Sequence, residues 1–131
     1  MPKPKLIKCP CESGKTYAQC CAPLHHGEHA SSAEALMRSR YSAYVFGLED
    51  YLLRTWHPST RPITLNLEED AHIKWLGLSI KSHSTISQNQ ASVEFIARHK
   101  SGGDRAERLH ETSQFLYVDA WYYLSGEIHA S

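Results

Sequence analysis

All four cysteines of this 131-residue chain lie in one short window, as Cys9-Pro10-Cys11 and Cys20-Cys21. Thiolates are soft ligands, and four of them satisfy a tetrahedral Zn²⁺. On so short a segment, four ligands reach one ion only if the chain doubles back between the second and the third. Gly14 is placed for that turn, because glycine takes φ > 0 without steric cost. Pro10 stiffens the link between the first two ligands. The adjacent Cys20 and Cys21 diverge, and both can reach one ion if they open a helical turn. Tyr17 is expected to lay its ring over a knuckle with almost no apolar core of its own. These features predict a closed, structural zinc site held by Cys9, Cys11, Cys20 and Cys21. An even cysteine count also permits a disulfide framework. Against that alternative stand the lack of a recognisable leader, a long cysteine-free remainder that suggests a reducing compartment, and a spacing awkward for relaxed bridges.

The run Cys9-Pro10-Cys11-x-Ser13-Gly14-x-x-Tyr17-x-x-Cys20-Cys21 resembles the SEC-C motif, a zinc-binding knuckle also found at the C-terminus of the preprotein translocase ATPase SecA. Glu12 stands where that motif often has glycine. The likeness covers roughly a tenth of the chain and implies a zinc knuckle and little else.

The elements around the knuckle follow from composition and periodicity. The length suits one ordinary domain with a small appendage, expected as a knuckle over 1–24 and a folded body over 31–131. No apolar run approaches a membrane span, so a cytoplasmic protein is the default expectation. Basic and acidic residues balance at 14 each. Lys3, Lys5, Lys8 and Lys15 surround the cysteines, where they would offset thiolate charge. Nucleic-acid binding is therefore expected less than a protein partner, since it would need a strongly basic face.

Residues 1–8 are expected to be flexible and 22–30 to form a linker, with His25, His26 and His29 as a polar loop. Ser31-x-x-Glu34 has capping-box form. Met37, Tyr41, Tyr44 and Leu48 form a helical stripe, and Gly47 is placed to end or bend that helix. A second helix is expected over Glu49–Trp56, stopped by His57-Pro58. Asn66 is placed to cap a short third helical turn. From Ile73 the period becomes alternating. Leu76, Leu78 and Ile80 are expected on one face of a first strand, and Val93, Phe95 and Ala97 on one face of a second. Ser101-Gly102-Gly103-Asp104 signals a hairpin. Leu109, Glu111, Ser113 and Phe115 share a face of the third strand. Trp121–Leu124 form the fourth, and Ser125–Ser131 trail off. Helices followed by hairpin-linked strands predict an α+β fold, with helices packed on a four-stranded curved antiparallel sheet.

A wider resemblance rests on Leu36-Met37-Arg38-Ser39-Arg40-Tyr41-Ser42-Ala43-Tyr44, Tyr51-Leu52-x-x-Thr55-Trp56-His57-Pro58, Trp75-Leu76-Gly77-Leu78, Phe95-x-Ala97-Arg98, His110-Glu111-x-Ser113-x-Phe115 and Trp121-Tyr122-Tyr123. Together these are similar to the bacterial YchJ family, over nearly the whole chain. The resemblance implies a nuclear-transport-factor-two-like, cystatin-like cone domain beside the zinc knuckle, and does not imply a reaction. Two departures are visible. Some relatives carry a second, C-terminal knuckle, and the family often has arginines where Thr112 and Gln114 flank Ser113 here.

A cone fold can hold a pocket between sheet and helices. Glu111 is the best candidate for chemistry there, because a carboxylate among apolar neighbours is costly unless paired. Arg40, beside the helical stripe, is its expected partner in a structural ion pair. Trp56, His57, Trp75 and Trp121 are expected around the same space, with Glu111 or His57 as the general base if the pocket is catalytic. The first functional expectation is a protein-interaction module docking at the ribosome or translocation machinery. The second is a small-molecule enzyme or ligand binder using the cone pocket.

Overall fold

The computed structural model describes residues 7–70, 72–103 and 105–129. The expectations for residues 1–6, for Asp104 in the hairpin and for the last two positions lie outside the described residues. The knuckle is followed by three helices, α1 (Ala22–His25), α2 (Ala33–Phe46) and α3 (Glu49–Arg54), and then by four strands. These are β1 (Ile73–Ser87), β2 (Gln90–Ser101), β3 (Glu107–Tyr117) and β4 (Trp121–Ile128). They pair antiparallel in chain order, β1-β2-β3-β4, so each connection is a hairpin. The fold is α+β, with helices on one face of the sheet. Among the described residues no helix is long and apolar enough to cross a membrane.

α2 begins one residue later than the capping-box pattern suggests. Ser32, not Ser31, is the cap, and its hydroxyl accepts from the Ala35 N–H at 3.0 Å. Glu34 is therefore free to turn outward and pair with Arg38 one turn on, at 3.2 Å. Gly47 ends the helix in the left-handed region at φ 70°, a conformation glycine adopts without a Cβ clash. The expected linker at 22–30 is partly helical, because Cys21 opens α1 with Pro23 in its first turn. Asn66 takes φ 52° ahead of a 3₁₀ turn at Leu67–Asp70, and its side-chain oxygen accepts from Thr64 instead of capping.

The sheet differs from the alternation reading at one residue. Trp75 pairs with His99 and Gly77 with Arg98, so Leu76 is an extra residue in a β-bulge. The bulge turns Leu76 outward, 43 % exposed, and sets Trp75, Leu78 and Ile80 on the inner face. Two further irregularities in β1, after Ile80 and after Thr85, twist this edge strand and break up its free hydrogen-bonding edge. β4 runs on to Ile128, beyond the expected end at Leu124, and rejoins β3 after a register shift at Gln114/Phe115. Its outer edge is covered where it begins, since the His57 N–H donates to the Tyr123 carbonyl and the Tyr123 N–H to the Thr55 carbonyl.

One core joins the knuckle, α2 and the sheet, and a smaller one packs Ala43 of α2 against Tyr51 and Leu52 of α3. Leu36, Met37 and Tyr41 of α2 meet Leu78, Val93, Phe95, Ala97 and Phe115 of the sheet, and Cys9, Cys11 and Cys21 belong to the same cluster. α2 is consequently buried on more than one side: Ser39, Arg40 and Ser42 are as buried as its apolar residues. The knuckle also reaches the sheet directly. Glu12 adopts φ 62°, and its Oε2 accepts from the Leu78 N–H at 2.7 Å. Gly77 makes room for that reach, since a Cβ there would lie 2.8 Å from the same oxygen.

Two effects compete at Glu12. A non-glycine residue in the left-handed region costs about 1 kcal/mol, but glycine loses more backbone entropy on folding by a similar amount. What remains is the buried Leu78 N–H, which would lose its acceptor. We expect Glu12→Gly to destabilise the protein by about 1 kcal/mol in urea denaturation, although glycine suits the local backbone. An unchanged or higher midpoint would show that the clasp contributes nothing.

Candidate metal centre and adjoining pocket

The knuckle is a tight ribbon. The Cys9 N–H donates to the Lys15 carbonyl and the Tyr17 N–H to the Ile7 carbonyl, with Lys8 and Thr16 bridged between them. Gly14, at φ 92°, lies in the turn. Cys21 caps α1, so the vicinal pair leaves the ribbon at a helix start. The four sulfurs lie within 4.8 Å of one another, with Cys11 and Cys20 at 3.6 Å and Cys20 and Cys21 at 3.9 Å. A tetrahedral ion with metal–sulfur bonds of about 2.3 Å holds its sulfurs roughly 3.8 Å apart. No disulfide joins them. The four cysteines therefore fit a tetrahedral thiolate-bound metal.

Their electrostatics lead to the same ligand. Hydrogen bonds from Cys11 and Cys21 pull the Cys9 thiol far below its ordinary range. Cys21 is driven far up by its bonds with Cys11 and Cys9 and by burial. Four sulfurs in such contact cannot all ionise unless a cation neutralises them. Hydroxyls support the cluster: Ser42 contacts Cys9 at 3.5 Å and Cys21 at 3.4 Å, and Ser13 contacts Cys20 at 3.1 Å.

The knuckle is locked to α2 at two further points. Arg38 Nη1 donates to the Cys11 carbonyl at 2.7 Å. His25 lies half-buried between Tyr17 and Ser39, and does not belong to an open polar loop. Its Nε2 is 2.8 Å from the Ser39 carbonyl, which can only accept, so Nε2 carries the proton. Nδ1 then accepts from the Tyr17 hydroxyl at 2.7 Å. Tyr17 thus reaches past the knuckle to α1, with its ring edge-on to Phe46 at 4.9 Å.

On the other side of α2 a cavity of about 220 Å³ opens between helix and sheet. Met37, Tyr41 and Tyr44 wall it from α2, and Trp75, Phe95 and Leu109 from the sheet. Its polar end gathers Arg40, Glu111, Ser113 and Tyr123. The expected Arg40–Glu111 ion pair is not made: no salt bridge joins the two. Arg40 Nη1 instead donates to the Leu52 carbonyl and to the Thr55 hydroxyl, both at 2.8 Å, closing the C-terminus of α3. Its guanidinium lies 4.4 Å from the Tyr123 ring centroid and 5.2 Å from that of Trp56. Burial pulls its pKa down, but arginine starts so high that it keeps its charge. Glu111 accepts from the Ser113 hydroxyl at 2.6 Å. Gly126 leaves space for this group, because a Cβ there would strike the Glu111 carboxylate and come within 2.8 Å of the Tyr123 hydroxyl. Burial pushes the Tyr41 phenol up to about 12, and burial with the Glu111 charge does the same for Tyr123. Both phenols are hydrogen-bond donors at neutral pH.

Arg40, Glu111 and Trp75 thus line one space. Trp56 stands behind it, edge-on to Tyr123 at 4.8 Å. Trp121 faces a different cleft with Leu24 and Ala120. His57 is on the exposed side of β4, sharing a hydrogen bond with Ser59 at 2.8 Å. Tyr123 and Ser113 are polar pocket residues that sequence reasoning did not single out. Ser113 had a signal, since it shares the Glu111 face of β3. Tyr123 had none until the strand pairing was known.

Cysteine knuckle and helix-backed sheet together define a class of protein, an NTF2-like domain carrying a SEC-C motif. Residues 32–126 match the family described as YchJ, middle NTF2-like domain, and residues 8–23 match the SEC-C motif. The chain belongs to the YchJ family. A UPF0225 protein of Chromobacterium violaceum is 57 % identical over 125 residues, covering 90 % of each chain. One from Ralstonia nicotianae is 49 % identical over 132 residues, covering 92 % of this chain and 90 % of the relative. The solution structure of a SEC-C motif containing protein from Rhodopseudomonas palustris superposes with a TM-score of 0.83 at 37 % identity, over 95 % of this chain and all of that one. The crystal structure of another, from Psychrobacter arcticus, gives 0.79 at 30 % identity, over 94 % of this chain and 83 % of that one.

Burial lowers the pKa of His25. The neutral ring is favoured in the folded state, so its contribution is fully present above the unfolded value of about 6.5 and is lost as pH falls below it. We expect the urea midpoint to drop between about pH 7.5 and pH 5.5. A His25→Gln variant, less stable at both values, should show a smaller drop. Equal drops would assign the pH dependence elsewhere.

Proposed function

We propose that this chain is a zinc-stapled small-molecule-binding protein. Cys9, Cys11, Cys20 and Cys21 would hold one structural Zn²⁺, closed to solvent chemistry because all four positions come from the protein. The ligand would enter the cavity beside α2. The observation that carries this reading is an apolar chamber whose polar end holds a buried guanidinium and a carboxylate that do not neutralise each other directly. Concave, mostly apolar pockets with a few convergent polar groups are where small ligands bind. At about 220 Å³ the chamber is smaller than the ~300–1,000 Å³ of drug-sized sites, so its occupant is compact. Its body would be apolar, packing on Trp75 and Phe95, with one hydrogen-bonding group facing Glu111, Tyr123 and Arg40.

A docking role for the knuckle has no comparable support. Cys9, Cys11 and Cys21 are buried in the core. The groove on the knuckle's outer side mixes Ser13, Lys15, Gln19 and Glu28 with Pro23, Leu24 and Ala35, and among the described residues the large apolar side chains exposed beside the knuckle are Ile7 and Phe46, too few for the contiguous apolar face that docking favours. Four unpaired thiols suit a reducing compartment such as the cytoplasm.

Two measurements test the two halves. Elemental analysis of the native protein should find at least one zinc per chain that the Cys20→Ser variant loses, and its removal by a chelator should lower the thermal midpoint by about 10 °C or more, because the ligands belong to the main core. A metal-free chain of equal stability would remove the staple. For the pocket, compact aromatic probes such as indole, benzoate and benzyl alcohol should raise the midpoint for at least one member. Ala97→Leu, which fills the chamber, should abolish that rise. No response from the native protein, or an unchanged response in the filled variant, would overturn the ligand reading.

A further inference from the structure

The face of the sheet opposite Glu111 carries a second convergence of ligand atoms. Glu94 on β2, His110 on β3 and His129 just beyond β4 each present one, all within 4.8 Å of one another. Strand register makes this possible. Glu94 pairs with Thr112 and Ile96 with His110, so Glu94 and His110 are diagonal neighbours on one face. Thr112 pairs in turn with Glu127, and the chain continues in register until the His129 N–H donates to the His110 carbonyl at 2.8 Å. The two imidazoles stack with centroids 4.2 Å apart and planes 12° from parallel.

We propose that Glu94, His110 and His129 form a second, cross-strand metal site, which takes a late first-row divalent cation of the Zn²⁺ or Ni²⁺ type with water in its remaining positions. Two imidazoles and one carboxylate suit such ions; Mg²⁺ and Ca²⁺ prefer all-oxygen shells. Three protein ligands leave the coordination open, unlike the closed set of four thiolates. Metal–ligand bonds of about 2.0–2.2 Å would place the donor atoms roughly 3.3–3.5 Å apart. A bound ion lies in the plane of each imidazole that holds it, so closing on one cation requires the two stacked rings to tilt out of parallel, and the three groups are half-buried or exposed, which leaves them space to do so. His110 Nε2 donates to Glu94 Oε2 at 2.6 Å, and the cation would take the place of that proton.

Neighbouring groups already orient the set. The Ser82 hydroxyl donates to Glu94 Oε1 at 3.1 Å, and Thr112 Oγ1 lies 2.7 Å from His129 Nε2. The site joins three strands where β4 is ending, so occupancy would clamp the last rungs of the sheet.

The test uses the full chain with its cysteine site loaded with zinc. Calorimetric titration with Ni²⁺ should reveal one additional site, and amide signals of residues 94, 110 and 129 should broaden as it fills. His129→Gln and Glu94→Gln should each weaken the added site by about tenfold or more, while His83→Gln leaves it unchanged. Thr112→Arg, which removes no ligand but places a cation beside the set, should weaken it as well. Unchanged core amide signals would show that each variant is folded. No added nickel below about 1 mM, or affinities within about twofold of the native chain in both ligand variants, would overturn the proposal.

Discussion

The structure depends on keeping four sulfurs together inside a core that has no room for their charge. Three of the four are buried among leucine, phenylalanine and tyrosine side chains. A mobile appendage could relieve sulfur–sulfur repulsion by opening. Here the ribbon is fastened to α2 through Arg38 and Ser42 and to the sheet through Glu12. The cluster cannot spread without unpacking residues that the sheet also needs. A tetrahedral dication bonded to all four sulfurs would relieve that conflict.

α2 is the wall that both sites share. Its knuckle side presents Arg38 and Ser42, its sheet side Met37 and Tyr41, and its α3 side Ser39 and Arg40. Each polar group on it has a defined partner: Ser39 meets the Tyr51 hydroxyl, Ser42 the sulfurs, and Arg40 the end of α3. These bonds set the rotation of the helix about its axis. Since Met37 and Tyr41 also wall the cavity, the geometry of the chamber is fixed by the same bonds that hold the knuckle.

Much of this was legible in the chain. The cysteine spacing and Gly14 described a folded-back ribbon, and the alternation at Val93, Phe95 and Ala97 and again at Leu109–Phe115 described the inner face of the sheet. Gly47 marked a helix end. The rest was hidden for identifiable reasons. A single apolar stripe on α2 could not reveal that its other sides are buried too, because serine and arginine look solvent-facing until their partners are known. The Arg40–Glu111 pair was inferred from a carboxylate on an apolar strand face and an arginine beside the helical stripe, whereas the buried guanidinium satisfies carbonyl, hydroxyl and aromatic faces instead. Likewise Glu12 looked like a departure from a motif. Its long side chain turns an unfavourable backbone position into a link of 2.7 Å to the sheet.

The single inserted residue at Leu76 works as a phase shifter. Ahead of it the odd-numbered Ile73 and Trp75 point inward; after it the even-numbered Leu78 and Ile80 do, until the next irregularity, after Ile80, shifts the phase again. Losing one amino acid there would shorten the chain trivially in length but would invert the upstream half-strand, carrying the indole of Trp75 from the chamber wall into water. What the chamber constrains at this point is the strand's parity. A gap at this point in a pairwise comparison would mean a rebuilt cavity and not a tolerated deletion.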